Sequence, residues 1–294
     1  MKLRYLLGFG ISFLALYNRV QLLFANNANQ GYVKVLMYHN IPENKLTLFQ
    51  FQIQYLASNY QFLTPLQFQE FVKGRYQITG VNLLVTFDDG FKSNCVVAEK
   101  ILEPLGIKGI FFVPTEFISL PDINKQKGFI INQIYDGDTN NLEISPDMNP
   151  LTWDDLEYLL RKGHTIGSHT KNHKRLSNLY SKDELYNEIV ESGNVLEEQL
   201  GVPINYFAYP FGDINSISKQ AFHVIKTRYQ YCFSGVRGAN YYPTSDYVIL
   251  RDSVSIDDPP RYVRFIIENG LDMLYRKKAR RLLELAEESA DCAD

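Results

Sequence analysis

The apolar run LLVTFDDG, residues 83–90, ends in two adjacent carboxylates and a glycine. The end of a buried strand holds side chains rigidly, so one carboxylate there can bind a metal ion while its neighbour moves a proton. Asp and Gly are also ordinary turn residues, and an Asp that follows a strand can cap the next helix. Taken alone, Asp88 and Asp89 favour a turn, and the rest of the chain must decide whether they form a reactive centre.

A second concentration of reactive residue types is GHTIGSHTKNH, residues 163–173, which contains three of the 5 histidines in the chain. Neutral imidazoles are good zinc ligands, and His169 and His173, four residues apart, would lie on one face of a helical turn. Two histidines near a helix start can also be solvated surface residues. A catalytic zinc typically has about three protein ligands, and Asp89 with the two histidines would provide them. Asp88 would then remain free to act as the base.

The elements that must position these residues follow an alternating pattern. Beyond residue 30, short apolar runs alternate with longer amphipathic segments, which is typical of βα units around a parallel sheet. We therefore predict an α/β fold, and 294 residues with 45% hydrophobic content can form it as one large domain. The predicted strands are 33–39, 83–87, 109–114, 164–169, 204–210, 231–236 and 247–251. The predicted helices are 47–59, 92–106, 152–163 and 181–201.

A long polar insert, residues 117–150, interrupts this rhythm between a predicted strand and the next helix. Long insertions are usually disordered or functional loops. In an α/β barrel this insert would emerge at the carboxyl ends of the strands, where active sites lie. It is therefore a candidate wall of a substrate groove.

Charge and cysteine content exclude several classes of protein. Lys and Arg number 30 against 33 Asp and Glu, so a formal charge of -3 gives no reason to expect a nucleic-acid partner. Cys95, Cys232 and Cys292 are far apart and form no C-x-x-C pair. We therefore predict neither a disulfide framework nor a zinc ribbon.

Residues 1–30 have the layout of an export signal, because Lys2 and Arg4 precede an apolar segment at 5–17. Polar residues at 18–19 end that segment short of the roughly 20 apolar residues of a membrane span. The apolar run VQLLFA then follows, so an uncleaved anchor remains an alternative, as does a buried first helix of a cytoplasmic protein. We expect export to the periplasm, the cell surface or a membrane-anchored place in the cell envelope.

Over about residues 31–255 these motifs resemble the polysaccharide deacetylases, also called the NodB-homology domain or carbohydrate esterase family 4. TFDDG is similar to the family's first motif, in which the first Asp, here Asp88, is the catalytic base and the second, here Asp89, binds the metal. HTKNH is similar to the second motif, H-[ST]-x-x-H, which implies His169 and His173 as ligands. The resemblance implies a distorted (β/α) barrel of about seven parallel strands and a divalent metal ion, with Zn²⁺ the first choice.

This resemblance divides the chain into three parts. Residues 1–30 would be a signal peptide or membrane anchor, and 31–262 the NodB-homology domain. Residues 263–294 would be a C-terminal helical extension. Its basic cluster at 276–281 indicates either a solvated helix face or a contact with anionic lipid or polymer-export machinery.

The family's third motif, R-x-P-Y, occurs in changed form as AYPFG. Ala208 replaces the Arg and Phe211 the Tyr. The resemblance implies that Phe211 provides its backbone N–H to an oxyanion hole, which needs no phenol, and that Tyr209 and Pro210 contact the substrate. Arg251, at the end of a predicted strand, is the predicted substitute for the Arg that orients the base. The alternative is a surface charge at a strand end.

The usual last motif, a strand ending in LLH whose His is the general acid, has no counterpart near the C-terminus. VLMYH near the N-terminus resembles it, and the first and last strands of a closed barrel are neighbours. His39 is therefore the predicted general acid, with a buried structural histidine as the alternative. The chain resembles the biofilm-exopolysaccharide deacetylases in its LMYH start, its AYPFG motif and its late strand that ends in Arg. Those enzymes act on partly acetylated poly-β-1,6-N-acetylglucosamine.

The predicted function is metal-dependent hydrolysis of acetamido groups on a polysaccharide, with an acetylated glycan polymer as the partner. Tyr241 and Tyr242 could stack on its sugar rings, or simply pack the rim of the barrel. Two alternatives remain: an O-acetyl esterase of acetylated glycans, and a carbohydrate-binding relative with a decayed site. The changed third motif favours decay, whereas the complete set of metal ligands and Asp88 argue against it.

Overall fold

The computed structural model describes residues 31–138 and 143–289. The predicted signal or anchor at 1–30 and Cys292 lie outside the described residues. Within the two described ranges, no helix is both long enough and apolar enough to cross a membrane.

A single curled sheet forms the centre of the molecule and confirms the predicted α/β class with a distorted barrel. In the described residues it contains nine strands: β1 (Tyr32–Tyr38), β2 (Gln61–Phe62), β3 (Val81–Phe87), β4 (Gly109–Val113), β5 (Thr165–Ser168), β6 (Tyr206–Ala208), β7 (Tyr231–Phe233), β8 (Asn240–Tyr241) and β9 (Arg251–Ser253). The main path runs β7-β6-β5-β4-β3-β1-β8, while β2 pairs with β3 and β9 pairs with β1. All pairs are parallel except β1 with β8.

The segment before β9 closes the sheet into a barrel. Ile249 exchanges backbone hydrogen bonds with Cys232 and Ser234 next to β7, and Arg251 donates its N–H to the Val236 carbonyl. On its other side β9 lies parallel to β1, with Arg251 opposite Val35. The first and last parallel strands are therefore neighbours, as the sequence predicts.

Helices surround the barrel on the outside. They are Leu46–Asn59, Pro65–Val72, Lys92–Val97, Thr115–Ser119, Ile123–Phe129, Trp153–Arg161, Lys182–Leu200, Lys219–Arg228, Pro260–Ile267 and Asp272–Glu287. Several begin at a capping box, in which the N-cap hydroxyl and the side chain three residues later satisfy each other's backbone N–H groups. Thr152 with Asp155 and Ser181 with Glu184 are two such pairs.

The core has two layers because successive strand residues point to opposite faces of the sheet. Val33, Val35 and Leu84 belong to a cluster inside the barrel, which the helix Pro65–Val72 also joins. Alternate residues such as Leu36 and Val85 belong to a larger cluster between the sheet and the outer helices. The strands are thus buried on both faces, which holds their ends in fixed positions.

Three differences from the sequence prediction concern element boundaries. The last strand begins at Arg251 instead of ending there, because residues 246–250 make irregular closing contacts with β7. The helices Pro65–Val72 and Lys219–Arg228 were not predicted, since they are only 8 and 10 residues long and each shows its apolar period over too short a run. The described part of the polar insert contains helical segments at Ile123–Phe129 and Ile130–Ile134, where a loop was expected.

The two helices at the end of the described chain pack on the barrel. Leu282 is fully buried. The buried Lys34 ammonium lies 3.1 Å from a carboxylate oxygen of Asp252 and 2.5 Å from one of Asp272. This ion cluster ties the start of the last helix to β1 and β9.

Candidate active site

A cavity of about 560 Å³ opens where the strands end, and most of the predicted site residues line it. Parallel strands bring their carboxyl ends to one edge, so the residues just after β1, β3 and β5 converge there. The lining includes His39, Asp88, Asp89, His169, His173, Phe211 and Arg251.

The turn after β3 presents the two adjacent carboxylates. Asp89 and Gly90 both have left-handed backbone conformations, with φ of 71° and 68°. Gly permits this conformation without a Cβ penalty, and Asp tolerates it better than most residues. Asp88 and Asp89 are 2% and 4% exposed, so neither is an ordinary solvated turn residue.

Asp89, His169 and His173 form a compact group of three ligand atoms. The Nε2 atoms of His169 and His173 lie 3.5 and 3.3 Å from one Asp89 carboxylate oxygen, and the three ligand atoms lie within 4.8 Å of one another. The histidines follow β5 in a loop and not on a helical turn as predicted, with Thr170 and His173 in left-handed conformations. The left-handed residues reverse the backbone of this loop and bring the two histidines together, as one face of a helix would.

Hydrogen bonds to backbone carbonyls orient both imidazoles. His169 Nδ1 lies 2.7 Å from the Ala208 carbonyl, and His173 Nδ1 lies 2.8 Å from the Gln133 carbonyl. A carbonyl only accepts, so each Nδ1 carries a proton. Each Nε2 faces Asp89, so it donates to that carboxylate when it is protonated and offers its lone pair to a cation when it is not. An oxygen and two imidazole nitrogens with free lone pairs suit a divalent ion such as Zn²⁺.

Asp88 is held by Arg251 in a buried bidentate pair. The two guanidinium nitrogens donate to the two carboxylate oxygens at 2.6 and 2.8 Å. Arg251 Nε also donates to the Ser234 carbonyl at 2.7 Å, and the guanidinium lies 5.3 Å from the Phe112 ring centre. Arg251 is fully buried, which excludes the alternative of a surface charge.

Opposing influences set the charge of the two carboxylates. Burial raises the pKa of Asp88, but the charge and hydrogen bonds of Arg251 outweigh it, so the pKa lies below its usual range. The pKa of Asp89 is likewise lowered, because contacts with His169 and His173 outweigh burial. Both carboxylates are therefore ionised at neutral pH, as a base and a metal ligand require.

His39 follows β1 and lines the same cavity. It is exposed, so it is not the buried structural histidine considered as the alternative. The Asn94 side-chain amide donates to the His39 carbonyl at 2.9 Å and fixes the backbone there. An imidazole open to the cavity can exchange a proton with a bound ligand; its role as general acid stays a prediction.

The loop after β6 contributes Phe211 to the cavity wall. Phe211 has φ of 65° and is 36% exposed. Tyr209 is 1% exposed and donates its hydroxyl to the Gly212 carbonyl at 2.9 Å, while Pro210 is buried. Tyr209 and Pro210 therefore shape this loop, and Phe211 is the member of the motif with an exposed surface.

Tyr241 and Tyr242, predicted to stack on sugar rings, do not reach this cavity. Tyr241 lies in β8 opposite Tyr32, at the amino end of β1, whereas His39 follows the carboxyl end. The Tyr241 hydroxyl accepts from the Asn269 amide, and Tyr242 lines a separate cavity with Gly74. The structure does not bring these two tyrosines together with the other predicted residues, because β8 runs antiparallel to β1.

The polar insert contributes residues that sequence reasoning did not identify. Tyr135 and Ile134 line the cavity, and the Gln133 carbonyl orients His173. Partial burial and the charge of Asp89 raise the pKa of Tyr135, so its phenol is neutral at pH 7. The position of the insert after β4 predicts a groove wall, but no residue pattern distinguishes these members.

Comparison with known proteins gives one family. A sequence profile described as Polysaccharide deacetylase matches residues 79–229, just over half of the chain. The Bacillus subtilis (strain 168) protein YxkH is 25% identical over 227 residues, which cover 75% of this chain and 71% of that protein.

Several solved structures share the fold. IcaB from Ammonifex degensii has a TM-score of 0.63 and 21% identity, over 81% of this chain and 99% of that one. The deacetylase PplD of Streptococcus pyogenes, in complex with acetate, has a TM-score of 0.62 and 19% identity, over 80% and 98% of the two chains. A de-N-acetylase from Aggregatibacter actinomycetemcomitans has a TM-score of 0.63 and 16% identity, over 80% and 99%.

Proposed function

Since the chain belongs to the polysaccharide deacetylase family, we propose that it is a metal-dependent N-deacetylase of N-acetylglucosamine units in a polysaccharide. The family assignment makes it a hydrolase that acts on acetyl amide or ester groups of an acetylated polysaccharide. The proposed metal dependence and substrate are supported chiefly by one observation. In a single cavity, the ionised Asp88, which pairs with Arg251, lies next to Asp89, which belongs to the group of three ligand atoms.

Asp89, His169 and His173 would hold the metal ion. Their donor set fits a divalent cation, because one oxygen and two correctly protonated imidazoles point at a common centre. When bound there, such an ion supplies Lewis acidity toward the acetyl carbonyl and toward water.

Asp88 is the proposed general base. Its carboxylate removes a proton from the water that attacks the acetyl carbonyl carbon, and Arg251 keeps it ionised and oriented. The backbone N–H of Phe211 is the proposed donor to the oxyanion that forms at the acetyl oxygen. Tyr209 supports this role by pinning the loop through the Gly212 carbonyl.

His39 is the proposed general acid. When the tetrahedral intermediate breaks its C–N bond, the leaving amine needs a proton, and the exposed imidazole of His39 faces the same cavity. The products are acetate and a glycan with a free amine. Amide hydrolysis requires this proton more than ester hydrolysis does, so a histidine here favours the N-acetyl over the O-acetyl substrate.

The structure opposes the alternative of a decayed binding module. In this chain Arg251 provides from β9 the guanidinium that the third motif lacks at Ala208. The buried guanidinium makes four hydrogen bonds, two of them to the Asp88 carboxylate. A surface that only binds sugars does not need such an arrangement.

Acetate release tests the function. The full-length chain is stripped with a chelator, reloaded with Zn²⁺ and incubated with N-acetylated β-1,6- and β-1,4-linked glucosamine oligomers and with an O-acetylated glycan. We expect release from an N-acetylated oligomer only in the reloaded protein, and a loss of about 10²- to 10⁴-fold in Asp88→Asn with metal retained. Release from the O-acetylated glycan alone would support the esterase instead, and no release from any substrate would refute the proposal.

Export is a separate part of the proposal. It is supported by Lys2 and Arg4, which precede the apolar segment at 5–17. Fractionation of cells that express the full chain tests it. Enzyme confined to the cytosolic fraction would contradict export, and material in the membrane fraction would support the anchor or a lipid or export-machinery contact.

A further inference from the structure

Phe211 has a backbone conformation that bulky side chains disfavour. Its φ of 65° lies in the left-handed region, and the neighbouring Gly212 has φ of 64°. A non-glycine residue keeps such a conformation only where contacts around it hold it there. The N–H of Phe211, the proposed donor to the oxyanion, belongs to this turn, so the contacts that hold the residue also position the donor.

The Phe211 ring contacts two side chains from the loop after β5. The Arg175 guanidinium carbon lies over the ring, 3.9 Å from its centre. The His173 imidazole meets the ring edge to face, with 5.1 Å between the ring centres. A cation over an aromatic face is attracted by the quadrupole of the ring. Because Phe211 is only partly buried, core packing alone does not fix the ring, and the contact with Arg175 is a main constraint on it.

Arg175 is itself held in place by the loop after β6. Its Nη1 donates to the fully buried Ser216 Oγ at 2.6 Å, and the Ser177 hydroxyl donates to the Asn215 carbonyl at 2.7 Å. A guanidinium is a rigid plane, so the bond to Ser216 fixes the direction in which that plane faces. Two segments that follow different strands are therefore joined beside Phe211.

The position of Arg175 indicates that it acts through Phe211 and not on the reacting groups. The wall of the cavity that contains Asp88 includes Phe211 but not Arg175. The remaining partner of Arg175 is Asp136, whose carboxylate is 68% exposed and lies 3.5 Å from Nη2. Exposed ion pairs of this kind contribute little. The contact with the Phe211 ring is thus the one through which Arg175 reaches the site.

We propose that Arg175 is a positioning residue for the oxyanion donor: it holds the Phe211 ring and thereby keeps the Phe211 backbone in the left-handed turn that presents the N–H to the acetyl oxygen. This inference rests on the proposed function and adds to it a residue outside every motif described above. An oxyanion forms during hydrolysis of both an amide and an ester. Loss of Arg175 therefore slows both reactions, whereas loss of a general acid slows chiefly the amide.

The first test is kinetic and uses the full-length, Zn²⁺-loaded chain with an N-acetylated glucosamine oligomer and with 4-nitrophenyl acetate. One oxyanion donor typically contributes about 10²- to 10³-fold to kcat, so its partial misplacement in Arg175→Ala should lower kcat about tenfold on both substrates. KM and metal content should stay within about twofold of the parent, because ground-state binding does not need this N–H. Arg175→Lys keeps a cation near the ring and should retain more of kcat than Arg175→Ala.

Arg161→Ala is the matched control, because Arg161 is exposed, pairs with Glu157 four residues earlier and does not line the cavity. It should leave kcat unchanged on both substrates. A loss in Arg175→Ala that appears only in KM, or that is equally large in Arg161→Ala, would overturn the proposal.

The second test asks whether Arg175 acts through the ring. Phe211→Leu removes the ring and keeps the backbone N–H, so kcat should fall, and adding Arg175→Ala should then cause little further loss. Losses that multiply in the double variant would show that Arg175 acts elsewhere and would overturn the proposal. Asp136→Asn should have little effect on kcat, and a loss as large as that of Arg175→Ala would assign the effect to the insert instead.

The third test does not depend on turnover. Hydrogen–deuterium exchange of the metal-free chain is followed in the peptide that spans residues 209–217. Exchange there should be faster in Arg175→Ala than in the parent and unchanged in Arg161→Ala, because the turn opens more often once the ring is released. Faster exchange in a chain that hydrolyses neither substrate would support the hold on Phe211 while defeating the proposed function. Unchanged exchange would overturn the role of Arg175 whether or not the chain is active.

Discussion

Replacement of Arg251 by Met is the sharpest test of Asp88 as the proposed general base. Met fills a similar volume without a charge, so Arg251→Met leaves Asp88 buried and ionised with no cation beside it. Removing one partner of a buried ion pair typically costs about 3 to 5 kcal/mol of stability. We expect a loss of that size at pH 7, together with a large loss of activity.

The pKa of Asp88 gives this loss a characteristic pH dependence. In the native protein Arg251 holds that pKa below its unfolded value, so the carboxylate contributes stability above the unfolded pKa and loses it as the pH falls. Without Arg251, burial is the largest remaining influence and raises the pKa above the unfolded value. The pH dependence then reverses. As the pH rises from the unfolded pKa to the raised pKa of Asp88 in the folded variant, this carboxylate lowers the free energy of unfolding.

Urea denaturation of the metal-free chain separates this effect from metal binding. Arg251→Met/Asp88→Asn should recover part of the stability lost in Arg251→Met, because no unpaired charge remains. Arg264→Met is the control, since Arg264 is half exposed in an ion pair with Glu268, and such pairs contribute about 1 kcal/mol or less. A loss in Arg251→Met no larger than in this control, or strictly additive losses in the double variant, would refute the reasoning.

Three further predictions use the same structure. Asp89→Asn, His169→Ala and His173→Ala should each lower metal content as well as activity, and stoichiometric metal by mass spectrometry in all three would contradict the assigned ligands. His39→Asn should lower turnover on an amide far more than on an activated ester, because only the amine needs a proton to leave; equal losses would remove His39 from the mechanism. Burial lowers the pKa of His164 to about 4 in the folded protein, whereas the pKa of a histidine in the unfolded chain is about 6.5. Between these two values the unfolded chain binds more protons than the folded protein, so the free energy of unfolding falls as the pH falls. Denaturation at pH 7 and 5 should show a loss of about 2 kcal/mol that is absent in His164→Gln, and an equal loss in that variant would show that other groups cause it.

Residues next to strand ends were the most predictable part of the site. Asp88 and Asp89 follow a buried strand, and the histidines repeat at a short interval, so local sequence indicated them. Arg251 was indicated by the motif resemblance, although it begins β9 and does not end the strand predicted before it. The loop that presents His169 and His173 was wrongly expected to be helical, because a spacing of four residues does not distinguish a helix from a loop with left-handed residues.

Residues whose position depends on long-range pairing were not predictable in the same way. Tyr241 and Tyr242 follow the late strand β7, but β8 runs back along β1 to the opposite end of the barrel. Tyr135 lies in a segment with no distinctive pattern, and only the folded chain shows that it borders the active-site cavity. Pairing direction and loop docking are set by the whole core, not by a local run of residues.

The closure of the barrel also has a consequence for the order of assembly. Asp88 and Arg251 are 163 residues apart, while the three ligand residues all lie between 89 and 173. Contacts so distant in sequence form slowly, because a long loop must be ordered first. During synthesis from the N-terminus, a nascent chain therefore contains the ligand residues well before the guanidinium that completes the base. Under the proposed mechanism, hydrolytic competence would appear only with the last parallel strand, so acetate release would report that the barrel is complete.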